Sequence, residues 1–292
     1  MSLILLFIGL ITSSYDIVSK GFKNSQTESN TLFLKENESY DVLFLGISHA
    51  RNFSRYGNHE RIEAILNKKI ANLGQGSGNC SINEQLFYLD YFYKTGNSTK
   101  QVCIVLTPPM LSSETLPVAS NTFNKEKFSI PFFTNYLWFK SENKKERIVN
   151  YLQSKFSKEW LELKPDNKIG NFQKLQYIDS SKINSGMQLA YGEQINFEQF
   201  NQTCSQVETI IQLAQKNNSK VLLFIPPALF GKWKEHNETL QFLKRVEKQY
   251  NCKVEDYSES VLLPELYYDH HHLNTNGVIY FTENFLKPFI NE

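Results

Sequence analysis

Paired cysteines are missing from this sequence. Cys80, Cys103, Cys204 and Cys252 are scattered, and without a C-x-x-C pair neither a zinc ribbon nor a thioredoxin-like redox motif is present. Net charge is missing too: 31 Lys and Arg against 30 Asp and Glu leave +1. That balance excludes a broad basic footprint, and with it nucleic acid as a main partner. Gly (13) and Pro (9) are too scarce for a collagen-like or low-complexity chain, and no fixed repeat supports a solenoid or propeller. The apolar run at residues 3–11 (LILLFIGLI) falls short of the ~20 residues a membrane-crossing helix needs. It fits the apolar stretch of a signal peptide, without the usual basic lead, and is followed by Thr12, Ser13 and Ser14. Residues 1–19 therefore read as a signal peptide or short membrane anchor, the alternative being a buried N-terminal element. An exported, periplasmic or cell-surface protein is expected, in which some cysteines could pair. Residues 20–40 are mostly polar and read as a linker.

What is present suits a large core: 41% hydrophobic residues, with 22 Phe and 15 Tyr among 292. Short apolar runs at 41–46, 69–73, 101–107, 220–225 and 252–256 predict strands, most of them buried on both faces. Helical spacing predicts helices at 60–67, from the Ser81 cap to Gly96, at 197–216, at 238–250 and at 275–286. Ser81 with Glu84 forms a capping box. Strands alternating with helices predict an α/β fold: a three-layer αβα sandwich around a central parallel sheet. Residues 111–195 break the rhythm, with one clear helical stretch at about 146–160. They read as a long insertion in the 41–292 domain, a cap or lid over the strand ends, or else a purely structural extension.

Ligand sites in such sheets lie at the carboxyl ends of the strands, and two loops predicted there are chemically loaded. Gly46-Ile47-Ser48-His49-Ala50-Arg51 follows the first strand. Asp269-His270-His271-His272-Leu273-Asn274 precedes the last helix. One turn can hold Asp269 and His272 together, so that the carboxylate accepts from one ring nitrogen while the other faces Ser48. Taken alone, Ser48 would read as a helix cap. A zinc site at His270, His271 and His272 is disfavoured because neighbouring side chains point apart, so no metal is expected. The spacing of Gly74, Gly76 and Gly78 matches no nucleotide-binding loop.

These residues carry a resemblance. Gly46-x-Ser48-His49, then Asn72-Leu73-Gly74-Gln75-Gly76, then Asp269-x-x-His272-Leu273-Asn274-x-x-Gly277 resemble the blocks of the SGNH/GDSL hydrolase superfamily, from about residue 40 onward. The resemblance implies a flavodoxin-like sandwich that cleaves or transfers ester-linked acyl groups, acetyl foremost, often on sugars. It implies Ser48 as nucleophile, His272 as base, Asp269 as orienting acid, and backbone N–H groups of Ser48 and Gly76 as the oxyanion hole. No cofactor is implied. The third block departs from the pattern: Thr107-Pro108-Pro109 stands where the family carries an Asn, leaving Thr107 or Asn79 as the substitute donor. The weakened blocks resemble the exported relatives that acylate cell-surface polymers, which implies a membrane-bound acyltransferase as partner. The competing reading is a catalytically weak carbohydrate-binding or envelope-assembly component that keeps the fold. Around the triad, His49, Arg51, Gly78, Asn79 and Thr107 are the candidate substrate contacts. Arg51 and Arg55 read either as an anion clamp or as salt-bridged surface. Trp138, Trp160 and Trp233 read as sugar platforms or as core.

Overall fold

The computed structural model describes residues 4, 8–9, 21–76, 80–113, 121–192 and 195–292. The residue 1–19 segment thus lies almost wholly outside the described residues. Among those described, no helix is long and apolar enough to cross a membrane.

Five strands form the sheet: β1 (Ser39–Gly46), β2 (Ile70–Asn72), β3 (Ser98–Val105), β4 (Lys220–Ile225) and β5 (Lys253–Asp256). All pairings are parallel, in the order β2-β1-β3-β4-β5, the flavodoxin-like order. Alternate side chains leave opposite faces of each strand, and both faces are covered. Leu43, Leu45, Val102, Ile104, Val221 and Leu223 pack with the helices Ile82–Lys94, Phe197–Lys216 and His236–Tyr250. Val42, Phe44, Cys103, Val105, Leu222 and Phe224 face the other way, onto Asn58–Leu66, Thr275–Phe281 and Lys287–Asn291. Two-sided burial is why these strands read as unbroken apolar runs. The chain goes outward from β1 to β2 and then back past β1 to β3. The crevice at that reversal, beyond the end of β1, is where such folds place ligands.

Three expectations need correction. Residues 20–40 are no linker. Asn24–Gln26 and Asn30–Phe33 are short helical turns, with Asn24, Ser29, Asn30 and Thr31 buried. Asn24 pairs like a strand residue with the outer edge of β2: its Oδ1 accepts from the Asn72 N–H at 2.8 Å and its Nδ2 donates to the Asn72 carbonyl at 3.1 Å. The buried Glu126 carboxylate takes the N–H groups of Asn30 (3.0 Å) and Thr31 (2.8 Å), and the hydroxyls of Ser29, Thr31 and Tyr88. Polarity here marks hydrogen bonding inside the molecule, not solvation.

The second correction concerns the insertion, where one helical stretch was expected. Its described residues hold helices at Ile130–Trp138, Lys144–Ser154, Lys158–Leu161 and Ser180–Tyr191. The first two pack Phe132, Tyr136 and Tyr151 against one another and onto Phe87, and a buried ion pair joins Arg147 to Glu84 at 2.6 Å. The later part runs along the strand-end loops: Gly170 N–H bonds the Tyr56 carbonyl (2.8 Å) and Leu175 N–H that of Tyr267 (3.1 Å). The third correction is the last helix. It stops at Phe281 and continues through a π-helical turn, Thr282–Leu286, into Lys287–Asn291. Pro288 lacks the N–H that an unbroken ladder would need four residues after Asn284.

All four cysteines are buried free thiols. Burial pushes Cys204 and Cys252 up to about 12 and about 11, so they pack as small hydrophobes.

Candidate active site

β1 ends at Gly46, where φ is +142° and a Cβ would lie 2.6 Å from the Val105 carbonyl oxygen. Only glycine fits both the backbone and the space. Gln85 fixes this corner from the neighbouring helix, its Oε1 accepting the Gly46 N–H at 2.9 Å. The chain turns at Ile47 into the short helix Ser48–Asn52. Ile47 is the N-cap and no side chain caps this helix, so the Ser48 hydroxyl is free for another task. As the first helical residue, Ser48 also has a backbone N–H without an intrahelical acceptor.

The second loop meets it. Asp269 Oδ1 accepts the backbone N–H groups of His271 (2.9 Å) and His272 (2.7 Å). Its Oδ2 lies 2.8 Å from His272 Nδ1, and His272 Nε2 lies 2.7 Å from Ser48 Oγ. An ionised Asp269 accepts the Nδ1 proton, which leaves Nε2 to accept from the hydroxyl. Burial alone would raise the Asp269 carboxyl. The bond from His272, the charges of His272 and His271, and the His271 N–H outweigh it and hold the carboxyl well below its usual range.

Neighbouring groups lock the two loops together. Asn52 Nδ2 donates to the Leu273 carbonyl at 2.6 Å. Asn274 caps the last helix by accepting from Gly277 N–H (2.9 Å), and donates to the Gln173 (2.9 Å) and Glu265 (2.7 Å) carbonyls. Gly277 leaves no room for a Cβ beside the Leu266 carbonyl. Asn72 reaches back to the Ser48–Asn52 helix, its Nδ2 donating to Ala50 O at 2.6 Å. Gly74 lies against the same helix, where a Cβ would be 2.8 Å from Arg51 N. Gln75 N–H bonds the Gly46 carbonyl at 3.0 Å, which brings the stretch ending in Gly76 to the end of β1.

The other candidates separate. His49 is buried against the triad. Its ring stacks on His272 with centroids 4.6 Å apart, and the Tyr268 ring is parallel to His272 at 5.5 Å. Neither His49 ring nitrogen bonds a side chain, and the His271 backbone lies near enough to act on the ring. Burial, then the charges of His272 and His271, hold His49 well below the ordinary imidazole range, so it stays neutral. Arg51 is no substrate clamp. It is fully buried and donates to the carbonyls of Asn24 (2.6 Å), Asn72 (3.3 Å) and Thr27. Arg55 is engaged by Glu28 through two 2.7 Å bonds. Thr107, on the same sheet edge, is buried and its hydroxyl has no hydrogen-bond partner. Gly78 and Asn79 lie outside the described residues. Trp160 and Trp233 are buried, whereas Trp138 is 86% exposed.

The histidine run does not splay as its spacing suggested: the rings of His271 and His272 are 4.1 Å apart. Ligand atoms of Asp269, His271 and His272 lie within 4.8 Å of one another and could bind a metal. The Asp269–His272–Ser48 hydrogen bonds use two of those three residues. Sequence reasoning missed Gln85, Asn52 and Tyr268. Gln85 leaves a trace, as a polar residue on the core-facing side of an amphipathic helix.

No protein-family model matches the chain, and no curated protein matches it. Among solved structures, it is similar to a candidate acylhydrolase from Bacteroides fragilis, with 14% identity, 87% of this chain and 86% of that one covered, and a TM-score of 0.43. A likeness that distant carries no functional argument, so the chemistry is read from the geometry above.

Proposed function

We propose that this chain is a serine esterase or O-acyltransferase that works through an acyl-Ser48 intermediate. The observation that carries the reading is the continuous relay from Asp269 Oδ2 through His272 to Ser48 Oγ, with links of 2.8 and 2.7 Å. As Ser48 Oγ attacks an ester carbonyl, its proton passes to His272 Nε2, and Asp269 steadies the imidazolium. The carbonyl oxygen becomes an oxyanion held by the N–H groups of Ser48 and Gly76. Collapse breaks the bond to the alcohol, which leaves with the proton from His272. A second hydroxyl then attacks the acyl-serine by the same route: water gives hydrolysis, a sugar hydroxyl gives transfer.

The resemblance to SGNH hydrolases supports an acyl, foremost acetyl, group on a carbohydrate or cell-surface polymer. The apolar start of the sequence supports an exported setting, beside a membrane-bound acyltransferase as partner. The family's third-block amide is absent, and in this reading Thr107 takes its place. Gly46 pairs with Val105 at the ends of β1 and β3, so Ser48 and Thr107 each follow, two residues on, at the same edge of the sheet. Thr107→Val, which keeps the shape and removes the hydroxyl, is expected to lower kcat about 100-fold if that donor serves the oxyanion. An unchanged kcat on p-nitrophenyl acetate rules the donor out.

The reading as a whole is tested by labelling with a fluorophosphonate and locating the adduct by mass spectrometry. An adduct on Ser48, absent in Ser48→Ala and His272→Ala, is the expected result. A folded protein with no adduct and no ester turnover would refute the reading in favour of the non-catalytic binding component.

A further inference from the structure

Beside the relay lies an imidazole that the proposed reaction does not use. His271 and His272 both present Nδ1 to one carboxylate: His271 Nδ1 is 3.6 Å from Asp269 Oδ1, and His272 Nδ1 is 2.8 Å from Oδ2. One donor atom from each of the three residues lies within 4.8 Å of the others. Donors around a tetrahedral zinc ion, each about 2.0–2.2 Å from the metal, stand roughly 3.4 Å apart. Both measured separations differ from that figure by less than an ångström. Two imidazoles and a carboxylate are also a donor set that zinc takes in proteins. The third histidine of the run is not among them, because His270 Nε2 accepts the Asp179 N–H at 3.0 Å. Nor is the cluster sealed. The Asp269 and His271 side chains are 37% and 29% exposed, and both line a cavity of about 190 Å³ beside the helix Ser180–Tyr191. At about 30 Å³ per water, that space holds an ion completing its coordination with solvent. Lys182 stands on the same wall, but its side chain is exposed, so water and salt screen its charge.

We infer that Asp269, His271 and His272 form an inhibitory site for a divalent cation of the zinc class. The site stands on its own geometry; its effect on turnover rests on the proposed function. A metal on either nitrogen of His272 silences the relay. On Nδ1, the ion takes the place of the proton that Asp269 accepts. That proton moves to Nε2, which then turns an N–H toward Ser48 and cannot accept from it. On Nε2, the ion occupies the accepting lone pair itself. No covalent bond of the chain breaks, and release of the metal restores the resting tautomer. Magnesium and calcium, which favour oxygen donors, are not expected to act this way.

Binding is tested apart from turnover, on the full chain without a tag. Zinc uptake is measured by competition with a fluorescent chelator, in the wild type and in Ser48→Ala. One zinc per chain is expected in both, and no magnesium. Removing an outer partner of a metal ligand already costs about 10–100-fold in affinity. Loss of the His271 ligand is therefore expected to weaken zinc by at least about 100-fold, both in His271→Phe, which keeps a ring, and in His271→Ala. In the wild type, fluorophosphonate labelling and p-nitrophenyl acetate turnover should fall as zinc rises and recover when chelator is added. Each His271 variant, compared with its own zinc-free rate, should be indifferent to the same zinc concentrations. A further readout needs no variant: zinc should shield His271 of the wild type from diethyl pyrocarbonate, mapped by mass spectrometry. No uptake by the wild type, undiminished affinity in a folded His271 variant, or no shielding overturns the site. Uptake that leaves turnover untouched overturns the inhibition. Zinc binding that depends on His271, without ester turnover under any condition, keeps the site and refutes the esterase. Ester turnover without zinc uptake does the reverse.

Discussion

Asp269 divides its two oxygens between tasks: Oδ1 shapes the turn through two backbone N–H groups, and Oδ2 holds His272. Asp269→Asn preserves an acceptor for the turn but removes the charge that fixes the tautomer. We expect kcat for p-nitrophenyl acetate to fall by about 10⁴-fold, with thermal unfolding little changed. His49 offers a second test. It is a buried, neutral imidazole that bonds no side chain and stacks on His272, so its contribution is read as shape. His49→Phe keeps a ring against His272 and is expected to retain most activity. His49→Ala frees the His272 ring to tilt and is expected to lower kcat by roughly tenfold or more. Equal losses in both variants would show that a His49 nitrogen, rather than its ring, matters. Ser48, Asp269 and His272 were legible because strand–Gly–x–Ser and Asp-x-x-His are local patterns. Arg51 was not, because its partners Asn24 and Thr27 are more than twenty residues away and no local spacing announces them.

At the scale of the element, Glu126 joins the N-terminal segment to the helix Ile82–Lys94 by accepting from five donors on Ser29, Asn30, Thr31 and Tyr88. A Gln there turns an amide NH₂ toward donors. Glu126→Gln is expected to destabilise the fold by about 3 kcal/mol, the scale for breaking a buried charged network, read as a lower midpoint in urea. An unshifted midpoint would mean that water satisfies these groups. The β-strands and the helices packed on them were readable because two-sided burial writes apolar runs and amphipathic stripes into the sequence. The insertion was not. Ile130–Trp138 (IPFFTNYLW) is apolar on most sides, so no period emerges. Ser180–Tyr191 carries Gly186 and several weak helix formers, and is started by Asp179, whose side chain accepts from Ser181 and Lys182 N–H. The polar 20–40 stretch misled for a related reason: its side chains satisfy buried backbone, which composition cannot distinguish from solvation.

The whole molecule should be acid-sensitive, in two windows. His59 is buried, and burial pulls it from the ordinary 6.5 to about 4, with the charge of Arg51 adding to the effect and that of Glu60 opposing it. Between those values the unfolded chain binds a proton that the native state refuses, so stability rises with pH there and is lost as pH falls. The loss from His59 approaches roughly 3 kcal/mol by pH 4. Glu28 acts lower down. Burial raises it, but the bond from Arg55 and the charge of Arg51 prevail and hold it at about 2. Its contribution is present above about pH 4.5 and is lost as pH drops toward 2. Urea midpoints at pH 7, 5.5 and 4.5 should decline, and His59→Asn should flatten the upper part of that slope. Finally, the β2 margin of the sheet is closed by side chains. The outward N–H of Ile70 is taken by Glu63 Oε1 at 2.9 Å, and both backbone groups of Asn72 are taken by the amide of Asn24. A sheet margin left bare is a template for another chain. One asparagine side chain therefore stands in for a sixth strand beside β2 and stops the sheet from growing at that edge. A chain shortened to begin after residue 28 would lose that stopper, and should self-associate in light scattering under conditions where the full chain stays dispersed.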